Sequence, residues 1–134
     1  MNEHEVKVFT LAEANQLLPV LSALLVSLQE IRAYLSDLEI QIDAHELVSE
    51  KGSQNAARES NRLIGKYRKA GSQFQEMVEE IHSHGCFLKD LDLGLIDFFW
   101  MRDDRIVCLC WRFGEEEIGF WHDTKTGYAD RQPI

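Results

Sequence analysis

Gly94-Leu-Ile-Asp-Phe-Phe-Trp-Met-Arg102, Asp103-Asp104, Arg105-Ile-Val-Cys-Leu-Cys-Trp-Arg-Phe113, Gly114-Glu115, and Glu117-Ile-Gly-Phe-Trp-His122 follow one another in the C-terminal third. Apolar residues alternate there with a period of two, and turn-forming pairs punctuate the run. That pattern predicts a three-stranded antiparallel meander with strands at 94–102, 105–113 and 117–122. Asp103-Asp104 is the first turn. Gly114-Glu115, with glycine first, fits a type II′ turn.

Two-residue loops fix the register. The first pairs Arg102 with Arg105, hence Asp97 with Cys110. The second pairs Phe113 with Glu116, hence Cys110 with Gly119. One face then carries Ile96, Phe98, Trp100, Val107, Leu109, Trp111, Ile118 and Phe120, with His122 at its edge: a core face. The other carries Asp97, Cys110 and Gly119 in one row, Leu95, Arg112 and Glu117 in the next, and Phe99, Cys108 and Trp121 beyond. Arg112 and Glu117 are oppositely charged neighbours, as cross-strand pairing favours. A slip of one residue would exchange the faces.

Upstream the period is helical. Thr10-Leu-Ala-Glu13 is a capping box that starts a helix at Leu11, with Phe9 and Ala14 placed as a hydrophobic staple. Val6, Val8 and Phe9 form an extended lead-in. Pro19 deletes one intrahelical hydrogen bond, so the helix kinks or restarts near Leu18. Leu21, Leu24, Leu25, Leu28, Ile31, Leu35, Leu38 and Ile42 then recur at spacings of three and four. A polar turn follows at 45–54. A second helix runs from about Asn55 to His84, and Gly85 is its C-cap. The expected architecture is α+β: a long antiparallel helical hairpin packed on the meander. It is one domain, with the hairpin over about 10–84 and the meander and tail over about 86–134.

Composition narrows the partners. The 134 residues carry a formal net charge of −9, which disfavours nucleic acid and anionic membrane surfaces. No uninterrupted apolar run approaches the roughly 20 residues of a membrane span, and the first residues carry no export signal. Three cysteines without framework spacing read as reduced thiols, hence a cytoplasmic protein. Arg58, Arg62, Lys66 and Lys69 form a stripe on the second helix, read as a solvated face that pairs with acidic residues of the first.

The second sheet face is too apolar for solvent and too polar for a core. Read as a ligand site, it offers Asp97, Cys110, Arg112, Glu117 and Trp121, with a notch at Gly119. Read as an interface, its aromatic patch is what a symmetric dimer buries. Asp97, Cys108, Cys110 and His122 are all legitimate ligands for a divalent transition metal such as zinc. The register above, however, sends His122 to the opposite face. Nucleophilic catalysis by Cys110 lacks a base, since Asp97 as its neighbour raises the thiol pKa. No catalytic residue is singled out.

Residues 9–19 (Phe-Thr-Leu-Ala-Glu-Ala-Asn-Gln-Leu-Leu-Pro), 89–98, 109–115, 118–123 and 127–133 (Gly-Tyr-Ala-Asp-Arg-Gln-Pro) resemble a bacterial family known as domain of unknown function 2203. The resemblance implies a small bacterial cytoplasmic protein and brings no activity, substrate or catalytic residue. In topology alone, two helices before a meander are similar to the ribosome-dependent ribonuclease toxins. The net charge and the single Arg112 on the candidate face argue against that chemistry. The sequence thus favours a non-enzymatic interaction or assembly module acting as a homodimer, with the helices or the second sheet face as its binding surface. The alternative is a metal- or small-ligand-binding protein, hydrolytic if it is an enzyme, with its site around Asp97, Cys110 and His122.

Overall fold

The computed structural model describes residues 6–49 and 52–134; the first five residues, and Glu50 and Lys51 of the expected interhelical turn, lie outside them. The elements are β1 (Val8–Phe9), α1 (Leu11–Gln16), α2 (Leu18–Val48), α3 (Gln54–Ser83), β2 (Phe87–Asp90), β3 (Leu95–Arg102), β4 (Arg105–Arg112), β5 (Phe120–His122), a 3-10 turn (Tyr128–Asp130) and β6 (Gln132–Pro133). The class is α+β, with a pair of long helices and one sheet. The chain divides into two compact units, and the boundaries cut both long helices. Ser27–Met77 is one unit; the sheet, with the chain up to Val26 and from Val78 onward, is the other.

Local chemistry explains the helix starts. Thr10 Oγ1 accepts from the Glu13 amide at 3.1 Å, and Glu13 Oε1 accepts from the Thr10 amide at 2.8 Å, closing the capping box. Phe9 and Ala14 are both buried. The α1 helix stops before Leu17, and α2 restarts with Pro19 in its first turn, where a missing N–H costs nothing. After α3, Gly85 adopts φ +94° and its amide bonds the His82 carbonyl. Of the cationic stripe, Arg62 bonds Glu59 on its own helix, while across the two helices Tyr67 donates to Glu39.

By length and composition alone, α2 is apolar enough to cross a membrane. Its spacing of three and four nevertheless buries Leu21, Leu25, Leu28 and Leu38.

The sheet is six-stranded and mixed, not a three-stranded antiparallel meander. The central β3 pairs antiparallel with β4 over eight positions, from Leu95↔Arg112 to Arg102↔Arg105, with Asp97 opposite Cys110. The Asp103-Asp104 turn has positive φ at both residues, as a type I′ hairpin requires. The other edge of β3 is shared: β1 runs parallel to Phe99 and Trp100, and β2 antiparallel to Leu95, Ile96 and Asp97. Gly94, at φ +68°, closes the β2–β3 turn; a Cβ there would meet Phe113 Cβ at 2.5 Å.

The second expected turn is corrected. A tight turn does form, with the Glu115 amide on the Arg112 carbonyl, but no strand follows it directly. Glu115 instead accepts from the Arg112 amide and pairs with Arg131. Ile118 is buried, and its amide donates to Asn15 Oδ1 of α1 at 2.8 Å. These demands take up residues 113–119 as a loop, and β5 begins only at Phe120. It pairs with β4 as Cys108↔His122 and Leu109↔Trp121, one residue away from the expected register. The Gly119 carbonyl accepts from Ile134 near the short β6, so Gly119 is no notch opposite Cys110.

A one-residue slip turns β5 over. Trp121 joins the core face of Ile96, Phe98, Val107, Leu109 and Trp111, and all of these are buried. His122 joins Asp97 and Cys110.

Candidate functional site

Three strands bring one ionisable side chain each to the same sheet face: Asp97 from β3, Cys110 from β4 and His122 from β5. Period-two alternation sets each of them inward, and the register of β5 completes the group. All three are buried, at 4%, 1% and 3% exposure. One ligand atom from each lies within 4.8 Å of the other two.

His122 Nδ1 lies 2.7 Å from the Asp123 carbonyl oxygen, which can only accept, so Nδ1 carries the ring proton. In the neutral ring, Nε2 then presents a lone pair to Asp97 Oδ2 at 3.0 Å. Two lone pairs facing each other in a buried site need a proton or a cation between them. Burial raises the Asp97 carboxyl above its ordinary range, against the opposing pull of His122 and Lys89. Burial, and then the Asp97 charge, push the Cys110 thiol up to about 12, with Arg131 acting the other way. Cys108 is pushed to about 11 for the same two reasons.

These facts limit the chemistry. Cys110 is not an activated nucleophile, because its thiol is held protonated and both ring nitrogens of His122 are engaged. A divalent ion would reverse that balance, since it takes the thiolate, the carboxylate and the Nε2 lone pair together. Zinc bonds of about 2.0–2.3 Å set tetrahedral ligand atoms roughly 3.3–3.8 Å apart, so the group closes with shifts of about 1 Å. The Nδ1–H to carbonyl contact is the outer partner that metal-binding histidines ordinarily have.

The group forms part of the wall of a pocket of about 310 Å³, whose other walls include Phe87, Lys89, Phe99 and Tyr128. The Arg112 guanidinium donates to the Tyr128 hydroxyl at 2.8 Å, and Arg131 stacks 4.0 Å over Phe120 and 4.5 Å over Tyr128. These contacts hold the 124–128 segment against the face.

The expected site residues therefore divide. Asp97, Cys110 and His122 come together, and Cys108 lines the pocket outside the close triple. Arg112 does not meet Glu117, which is exposed in the loop; it bonds Tyr128. Trp121 is no pocket wall and no exposed interface residue. It is buried on the opposite face, 4.6 Å beneath the Arg102 guanidinium. Sequence reasoning missed Phe87, Lys89 and Tyr128, because β2 is too short to show a period and the 127–133 segment shows none.

Fold and site together define a small α+β protein with a buried carboxylate–thiol–imidazole centre opening on a pocket. The chain belongs to the family described as uncharacterized conserved protein (DUF2203), whose model matches residues 7–134. No curated protein and no solved structure matches it.

Proposed function

We propose that this protein binds one divalent transition ion, zinc by ligand type, through Asp97, Cys110 and His122, and that the ion serves a small molecule in the adjoining pocket. The observation that carries this reading is the convergence of three buried ligand atoms within 4.8 Å of one another on the pocket wall. Three protein ligands with a further position left for water or ligand is the pattern of catalytic zinc, whereas structural sites are closed by four. Such a centre supplies Lewis-acid and hydrolytic chemistry. The three free and buried cysteines support a reducing compartment such as a bacterial cytoplasm.

Native mass spectrometry of untagged protein purified without chelator tests the assignment. One zinc per chain is expected, removed by chelation and restored on adding zinc. A chain that stays metal-free with excess zinc overturns the reading.

Self-association is a second reading, with α2 as the contact. Tyr34, Ile40, Leu47 and Val48 are 45%, 67%, 86% and 82% exposed. Ile40 and Leu47, seven residues apart, lie on one face of α2, and Tyr34 and Val48, fourteen apart, on another about 100° around the helix. Light scattering after gel filtration should read a dimer for the wild type. The double variant Ile40→Lys, Leu47→Lys should read a monomer with unchanged zinc content. A monomeric wild type at about 100 μM, weaker than stable interfaces hold, ends this reading.

A further inference from the structure

The pocket has an electrostatic asymmetry that the metal reading makes sharper. Of the groups that line it, Asp97 and Lys89 carry formal charge, along with Cys110 once it is a ligand. A divalent ion balances the Asp97 carboxylate and the Cys110 thiolate. Lys89 then leaves the lining with one net positive charge, in a chain whose own net charge is −9. A low-dielectric recess of one sign in a surface of the other concentrates ions of the complementary charge.

The rest of the lining sets the shape of the guest. Phe87 and Phe99 pack edge to face with centroids 5.2 Å apart and, with Leu95, make an apolar wall. The Lys89 ammonium stands 5.7 Å from the Phe87 ring centre. Tyr128 accepts from Arg112 through its oxygen, so its own O–H proton is left to donate. A volume of about 310 Å³ lies at the small end of ligand sites.

We propose that the pocket takes a small organic monocarboxylate whose apolar body lies on the Phe87–Phe99 wall and whose carboxylate faces the metal and Lys89. This rests on the metal reading above. One cation in the lining beside a neutralised metal centre suits a monoanion; Arg131 and Arg112, which flank Cys110 and Tyr128, are taken up by Glu115 and the Tyr128 hydroxyl.

Calorimetry with benzoate and hexanoate, and with benzylamine as the cation of similar shape, tests this on zinc-loaded full-length protein whose zinc content is measured in the same sample. Benzoate is expected to bind one per chain and at least about tenfold more tightly than benzylamine. Lys89 is exposed, so Lys89→Glu should fold and keep its zinc while losing at least about tenfold in benzoate affinity. A protein that holds one zinc but binds neither carboxylate, or binds benzylamine as well as benzoate, overturns this inference and leaves the metal reading standing. An unchanged affinity in Lys89→Glu overturns it too. A chain that takes up no zinc overturns both.

Discussion

Asp97→Asn is expected to lose zinc almost completely while keeping its fold. The amide has the shape of the carboxylate it replaces and can donate to the His122 Nε2 lone pair, so the metal-free pair stays satisfied. What it lacks is the anion that a divalent ion needs. Zinc sites in small proteins are worth roughly 10–16 kcal/mol, so one ligand of three accounts for about 3–5 kcal/mol, or two to four orders of magnitude in affinity. His122→Ala should weaken zinc by a similar factor and also destabilise the metal-free protein by about 1–3 kcal/mol, because Asp97 is left buried without its partner. Cys108→Ser is the control. Cys108 lines the pocket but lies outside the close triple, so its loss should change zinc affinity by less than about tenfold. Competition with a chromophoric chelator reads all three variants. If Asp97→Asn retains wild-type affinity, or if Cys108→Ser falls as far as Asp97→Asn, the ligand set is wrong.

How much of this was legible in the residues turns on one loop. The β3–β4 hairpin follows from Asp103-Asp104 because a two-residue loop leaves the register no freedom, and Asp97 does stand opposite Cys110. The helix starts follow from equally local chemistry at Thr10, Glu13 and Pro19. The Gly114 turn also looks local but is not. Its outcome depends on Asn15, over a hundred residues away, capturing the Ile118 amide, and on Arg131 near the C-terminal end engaging Glu115. Periodicity within 105–122 cannot register either contact. The resulting shift is a single residue, yet it exchanges the faces of Trp121 and His122 and thereby assembles the centre. Asp97, Cys110 and His122 could be named as metal ligands from chemistry alone; only the tertiary contacts of the loop put the histidine beside the other two. The extended lead-in read at Val8 and Phe9 is β1, but the short β2 and β6, and Lys89 with them, had no readable signal, since two to four residues are too few to establish a period.

Zinc affinity is expected to rise at least about tenfold for each pH unit between about pH 6 and 8, because the metal binds thiolate and not thiol. The Cys110 thiol sits at about 12, so throughout that range each zinc that binds displaces one proton from sulfur. Each unit of pH multiplies the ligating form by ten. The sign for the metal-free protein is opposite. A thiol whose folded value lies above its ordinary value of about 8.5 contributes stability in full below that pH, and the contribution is lost as the pH climbs toward about 12. Raising the pH should therefore weaken the metal-free fold over about pH 9 to 12 and strengthen zinc binding below it. Calorimetry in buffers of differing ionisation enthalpy separates these effects: the wild type should release about one more proton per zinc at about pH 7.5 than Cys110→Ser does. An affinity that stays flat over the same two pH units would mean that Cys110 is not a ligand, and the centre would reduce to a buried Asp97–His122 pair that shares a proton.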